Sequence, residues 1–236
     1  MKKKISPNDC NKIFEDRLKD LTMKEIGIEL KHFEIGTAPE SPSYLVNQGI
    51  LKNKLIKKFS DFFDSKKSSS MQIIYLRSHY GNGKSHFLKT IYSFFSNFEN
   101  IIVKKVSIRQ EEINLKLTIL KGIGKKLIKE MVDFFVIPAY KDKSKILTME
   151  KLKEDLDINS KLSLLLYEAV EAVKEKNLEK QAKVIAILSG DYLDSYLNTF
   201  EIKKEDLGDD FYFEVIRLIC KYLEKKNHYF ILTLDE

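Results

Sequence analysis

Between a short apolar run at residues 71–76 and an amphipathic run at 84–98 lies Arg77-Ser-His-Tyr-Gly-Asn-Gly-Lys-Ser-His86. The first run, Met71-Gln-Ile-Ile-Tyr-Leu76, is β-prone and reads as a buried strand. The second places Phe87, Leu88, Ile91, Phe94 and Phe95 at helical spacing. Ile101-Ile-Val-Lys-Lys-Val-Ser107 reads as a further strand. Strand, loop, helix, strand is a βαβ unit, and two strands joined by a helix pair in parallel. The expected fold class is therefore α/β around a parallel sheet.

The loop narrows the expectation further. A phosphate-binding loop reads Gly, four residues, then Gly-Lys-Ser/Thr. Ser78 stands where the first glycine would be, and Gly83-Lys84-Ser85 fits the rest. Gly81 and Gly83 let successive backbone N–H groups turn toward one anion. Asn82 suits this backbone because it tolerates left-handed geometry. A helix starting near Lys84 offers its positive end to the same anion. Lys84 would bring a point charge to the β- and γ-phosphates, and Ser85 a hydroxyl to Mg²⁺. Ser78, His79, Tyr80 and His86 complete the expected nucleotide-binding stretch, the histidines as flanking residues.

A second constellation stands at Phe230-Ile-Leu-Thr-Leu-Asp-Glu236, an apolar strand delivering two carboxylates at its carboxyl end. That end of a parallel sheet is where ligands bind in α/β folds. Asp235 is expected to hold Mg²⁺, and Glu236 to polarise the attacking water as catalytic base, with Lys84 as its catalytic partner. The adjacent carboxylates point to the P-loop class in which a catalytic glutamate follows the metal-binding aspartate. The implied cofactors are ATP and Mg²⁺.

The rest of the chain reads as mostly helical. Residues 6–30 carry Ile13, Phe14, Leu18, Leu21 and Ile26 at near-helical spacing, and residues 35–43 are rich in turn formers. A helix is expected at 48–63. Residues 111–226 are expected to be helical, broken once at Pro138 and turning at Gly190-Asp191. Asp209 or Asp210 is expected to cap a last helix with a face of Phe211, Val215, Leu218, Ile219, Tyr222 and Leu223. Tyr92, Phe94, Phe95 and Phe98 are read as core rather than as a base-stacking platform.

Composition excludes several classes. Apolar residues are 43% and charged residues 32%, a globular balance rather than a disordered one. Two cysteines, Cys10 and Cys220, build no disulfide framework and fit a reducing cytoplasm. No apolar run of bilayer length is present, so no membrane partner is expected. The net charge of +6 is nearly all lysine interleaved with glutamate, which reads as solvated helix faces. His32 and His228 have no metal-ligand spacing to either cysteine.

Leu76-Arg-Ser-His-Tyr-Gly-Asn-Gly-Lys-Ser-His-Phe-Leu88 resembles the loop of the ATP-binding proteins of bacterial phage-exclusion (BREX) systems, Arg-Gly-x-Tyr-Gly-x-Gly-Lys-Ser/Thr-x-Phe-Leu. Ile185-Ala-Ile-Leu-Ser-Gly-Asp-Tyr-Leu193, and the run from Phe211 to Asp235-Glu236, are similar to that family's approach to its Walker B strand. The likeness covers roughly residues 49–236. It implies an AAA-like P-loop ATPase fold, Mg-ATP binding, other protein subunits as partners, and a role in a multiprotein defence complex acting on DNA.

The expected organisation is an N-terminal helical segment, 1–47, followed by a P-loop core, 48–236, with a large helical insertion at about 138–209. ATPases with the double carboxylate place a further strand between the Walker A and Walker B strands, and that strand follows Walker B in sequence. The chain stops at Glu236, so the sheet is expected to be incomplete without a continuation or a second chain, and the 236 residues alone are expected to bind nucleotide but hydrolyse it very slowly. A non-hydrolysing nucleotide-binding scaffold and a DNA-replication or transposition helper ATPase are the alternative readings.

Overall fold

Leu55, Phe59 and Phe63 recur every fourth residue, which stacks them on one side of a helix. They form the buried stripe of α1 (Gly49–Asp64). The structure, a computed structural model, describes residues 20–21, 45–46, 49–64, 74, 84–108, 114–141 and 148–235. Ahead of α1, β1 (Asp20–Leu21) and β2 (Leu45–Val46) pair in parallel, Asp20 beside Leu45 and Leu21 beside Val46. Of the helix expected over 6–30, only Asp20–Leu21 is described, and there pairing to a distant segment makes the backbone a strand; the rest lies outside the described residues.

The chain divides into two compact units, one taking in residues up to 105 together with 227–235, the other residues 106–226. In the first, α2 (Lys84–Phe95) leads through a turn to β3 (Ile101–Ser107), and β4 (Tyr229–Asp235) lies beside β3. The Tyr229 N–H donates to the Asn100 carbonyl at 2.9 Å, and four residues further along both strands the Thr233 hydroxyl donates to the Lys104 carbonyl at 3.3 Å. A constant offset means the strands run in the same direction. The described residues are mostly helical and include this small parallel sheet, which is loosely consistent with an α/β class.

Phe87, Ile91, Phe94 and Phe95 of α2 close on the α1 stripe, Ile101 and Val103 of β3, and Ile231 of β4. Phe95 is fully buried, 4.7 Å from the Phe59 ring centroid, and Tyr229 meets Phe63 edge-on at 4.7 Å. Phe94 and Phe98 are buried too, as expected, whereas Tyr92 faces outward. Of the strand expected at 71–76, Ile74 alone is described. It takes part in no ladder and is 39% exposed, so at that residue the buried strand is not found. An apolar, β-prone sequence marks a candidate strand, but backbone pairing makes one.

The second unit is helical: α3 (Leu115–Ile123), α4 (Lys125–Lys141), α5 (Met149–Leu156), α6 (Ser160–Lys174), α7 (Leu178–Leu188), α8 (Asp194–Thr199) and α9 (Asp209–Lys225). Asn114, Thr148, Asn159 and Asn177 cap α3, α5, α6 and α7, each accepting from the backbone N–H three residues on. Such a cap contributes about 1 kcal/mol. Helix α4 continues through Pro138 rather than breaking there. A proline removes one helical hydrogen bond, and here Leu127, Ile128, Met131, Val132 and Val136 hold the helix by burial. All six residues expected on the α9 face are buried. Its N-cap, however, is Gly208, and Asp209 and Asp210 occupy the first turn. There a carboxylate still complements the positive helix end, and Asp209 also accepts from the Asn114 side chain at 2.7 Å.

Close backbone approach sets two glycines. A Cβ at Gly122 on α3 would collide with the Val106 side chain. Gly190, in the turn after α7, has φ +70° and lies against Leu117.

At the corner between α5 and α6, α9 presents a row of charges. Glu214 accepts from the Asn159 N–H, at the start of α6, at 2.8 Å. Arg217 donates to the Asp157 carboxylate at 2.7 Å and to the Asp157 carbonyl, and Lys221 donates to the Leu156 carbonyl at 2.9 Å. An acid meets a helix start and two bases meet a helix end, the signs that helix dipoles favour.

Candidate functional site

Helix α2 begins at Lys84, so Lys84 and Ser85 lie in its first turn. No acidic residue occupies that turn, and its positive end is uncompensated from within. Ser85 donates its hydroxyl proton to Asp235 Oδ1 at 2.9 Å. Lys84, Ser85 and His86 are each half-buried. The His86 carbonyl accepts from the Thr90 hydroxyl at 2.9 Å, one turn into the helix.

Strand alternation brings Asp235 to this point. Ile231, Thr233 and Asp235 share one face of β4, with Ile231 and Thr233 buried. Ile101, Val103 and Lys105 share the corresponding parity on β3. The apolar members join the core beneath α2, and the charged members emerge at the carboxyl ends of the strands. There Lys105 Nζ lies 3.7 Å from Asp235 Oδ2, with side-chain exposures of 25% and 14%. The Asp235 carboxylate is thus divided, one oxygen toward the Ser85 hydroxyl and the other toward the Lys105 ammonium.

The structure therefore brings together Ser85 and Asp235, residues expected to share a metal, and sets Lys84 beside Ser85 at the helix start. Ser78, His79, Tyr80, Gly81, Asn82, Gly83 and Glu236 lie outside the described residues. Lys105 was not anticipated. Its signal was a lysine at the inward parity of an apolar strand, next to the carboxyl end where ligands bind.

A hydroxyl and a carboxylate side by side are hard oxygen donors. Mg²⁺ is commonly held by one or two carboxylates together with waters and substrate phosphates, and the Ser85–Asp235 pair fits that demand. Among the described residues, no group of three or more His, Cys, Asp or Glu side chains gathers into a metal site.

The helical unit carries a groove of about 850 Å³ along α4 and α7, lined by lysines. Lys125 pairs with Asp191 and Lys183 with Glu179, so much of that charge is balanced locally. None of the expected site residues lines it. Among the described residues, no helix is long and apolar enough to cross a membrane. No protein-family model, no curated protein and no solved structure matches the chain.

Proposed function

We propose that the chain binds Mg-ATP as a P-loop nucleotide-binding protein and hydrolyses it. The observation that carries this reading is the Ser85–Asp235 hydrogen bond, which joins the end of the loop motif to the end of the acidic strand. Packing of β4 and α2 on one apolar core brings the two motifs together, and in this reading the meeting serves a shared metal and phosphate site.

In this reading Lys84 places its ammonium on the β- and γ-phosphates, and the N–H groups of the first turn of α2 add the helix end's positive charge. The Ser85 hydroxyl and Asp235 carboxylate would hold Mg²⁺, the hydroxyl still donating to Asp235. Bound Mg²⁺ neutralises charge on the β- and γ-oxygens. Glu236 follows Asp235 directly and is the base that would orient and deprotonate the attacking water. The resemblance of the loop carries the wider reading of a subunit in a multiprotein phage-defence complex acting on DNA.

The test is calorimetric titration of Mg-ATP into the protein and into Lys84→Ala. A charge-assisted hydrogen bond contributes about 1.5–3 kcal/mol, so the variant should bind at least about tenfold more weakly. Equal affinity in the two proteins would overturn the assignment.

A further inference from the structure

Lys105 adds a charge to the site that the phosphate-loop reading does not require. It comes from β3, whereas the loop motif and the acidic pair lie on other elements. Its place is built. Ile101 and Val103, at the same parity, are buried, and the Lys105 side chain is three-quarters covered. At 3.7 Å its ammonium faces the Asp235 oxygen that the Ser85 hydroxyl leaves open.

We propose that Lys105 is the resident counter-ion of Asp235 in the nucleotide-free protein, and that it is displaced when Mg²⁺ enters with nucleotide. The proposal rests on the nucleotide-binding reading of the same site. Its physics is competition for one carboxylate. An ammonium and a divalent cation cannot share Asp235 without repulsion, because two cations about 4 Å apart in a partly dry site repel strongly. Lys105 therefore opposes metal entry while it stays, and without metal it offsets the Asp235 charge that would repel the phosphates. The pair also keeps a poorly hydrated carboxylate from standing alone before ligand arrives. Lys105 thereby sets how strongly nucleotide binding depends on Mg²⁺: a site with Lys105 should take metal-free nucleotide comparatively well and gain comparatively little from the metal.

The experiment is calorimetry with ADP, which is not turned over, in Mg²⁺ and in EDTA, on wild type, Lys105→Met and Lys105→Arg. The measured quantity is the ratio of the two dissociation constants, metal-free over Mg²⁺. In Lys105→Met the ratio should rise about five- to tenfold, through tighter binding with Mg²⁺ and equal or weaker binding without it. Lys105→Arg, which keeps the charge, should retain the wild-type ratio within about twofold. If Lys105→Met does not fold, Lys105→Gln is held to the same ratio. An unchanged ratio in the neutral variant, or equal weakening with and without Mg²⁺, would overturn the counter-ion role while leaving the nucleotide site standing. A wild-type protein that binds ADP in neither condition would overturn the site reading and this proposal with it.

Discussion

Ser85 and Asp235 are 150 residues apart in the chain, and the hydroxyl of one donates to the carboxylate of the other at 2.9 Å. The contact joins the first turn of α2 to the last residue of β4. If both side chains serve one metal, they act as a unit, and groups acting as a unit give non-additive mutational effects. Ser85→Ala and Asp235→Asn should each weaken Mg-ATP binding about tenfold, and the double variant should lose clearly less than the product of the two. A double-mutant cycle by calorimetry checks it, and full additivity would separate the residues functionally.

Glu236→Gln should leave Mg-ATP affinity within about twofold and cut the rate of phosphate release by about 10² or more, the usual contribution of a general base. Measured side by side, binding and release separate a base from a ligand-holding residue.

The site's two anchors were legible because each sits in a short pattern with its own punctuation: Gly-x-Gly-Lys-Ser ahead of a helical stripe, and Asp-Glu behind an apolar strand. Residue alternation places Asp235 on the face of β4 shared with the buried Ile231 and Thr233, whatever its partner. Lys105 was harder to read, since a lysine in a strand is ordinarily a solvated residue. Its relevance depends on which strand lies alongside, a long-range fact. The same limit governs Asp20–Leu21, where a helical stripe yields to pairing with Leu45–Val46, and Ile74, where β-propensity has no ladder to act on. Pro138 shows the converse. Burial along α4 outweighs a local breaker. The Asp209-Asp210 signal found the start of α9 but missed the cap by one residue, because an aspartate stabilises a helix start from the first turn as well as from the cap.

Phe95→Ala should destabilise the protein by about 3–5 kcal/mol. The side chain is wholly buried and touches Phe59, Phe63, Phe94 and Phe98. Urea denaturation would show a lower midpoint. A loss under about 1 kcal/mol would mean that the core between α1 and α2 repacks around the gap.

Gly190→Ala should cost about 1–3 kcal/mol. The residue combines φ +70° with a Leu117 side chain where the new methyl would go. In a double-mutant cycle with Leu117→Ala, which has its own packing cost, the coupling reports the collision that the second substitution clears and leaves the backbone part. Thermal unfolding of the variants separates the two causes.

The Asp157 carboxyl is held below its ordinary value of 3.8, first by its hydrogen bond from Arg217 and then by the charge on Arg217. A depressed value means stabilisation that is present above pH 3.8 and lost as pH falls through the lower folded value. Arg217→Ala should raise the Asp157 titration toward its ordinary value, with the Lys221 charge still favouring the carboxylate, readable by NMR of the side-chain carboxyl. The stability gap between wild type and variant should shrink at acid pH without closing, since Arg217 also donates to the Asp157 carbonyl, which does not titrate.

The charge row on α9 also divides the helical unit by what holds each part. Its interior rests on apolar burial, which moderate salt scarcely weakens. The α5–α6 corner is held in addition by Glu214, Arg217 and Lys221 gripping helix ends at 2.7–2.9 Å, contacts that ions weaken strongly only as the Debye length shrinks toward about 3 Å near 1 M salt. Raising ionic strength should therefore speed amide exchange at the corner while the interior of the same helices exchanges as before. The corner is then the part of the helical unit whose tightness depends on the solvent.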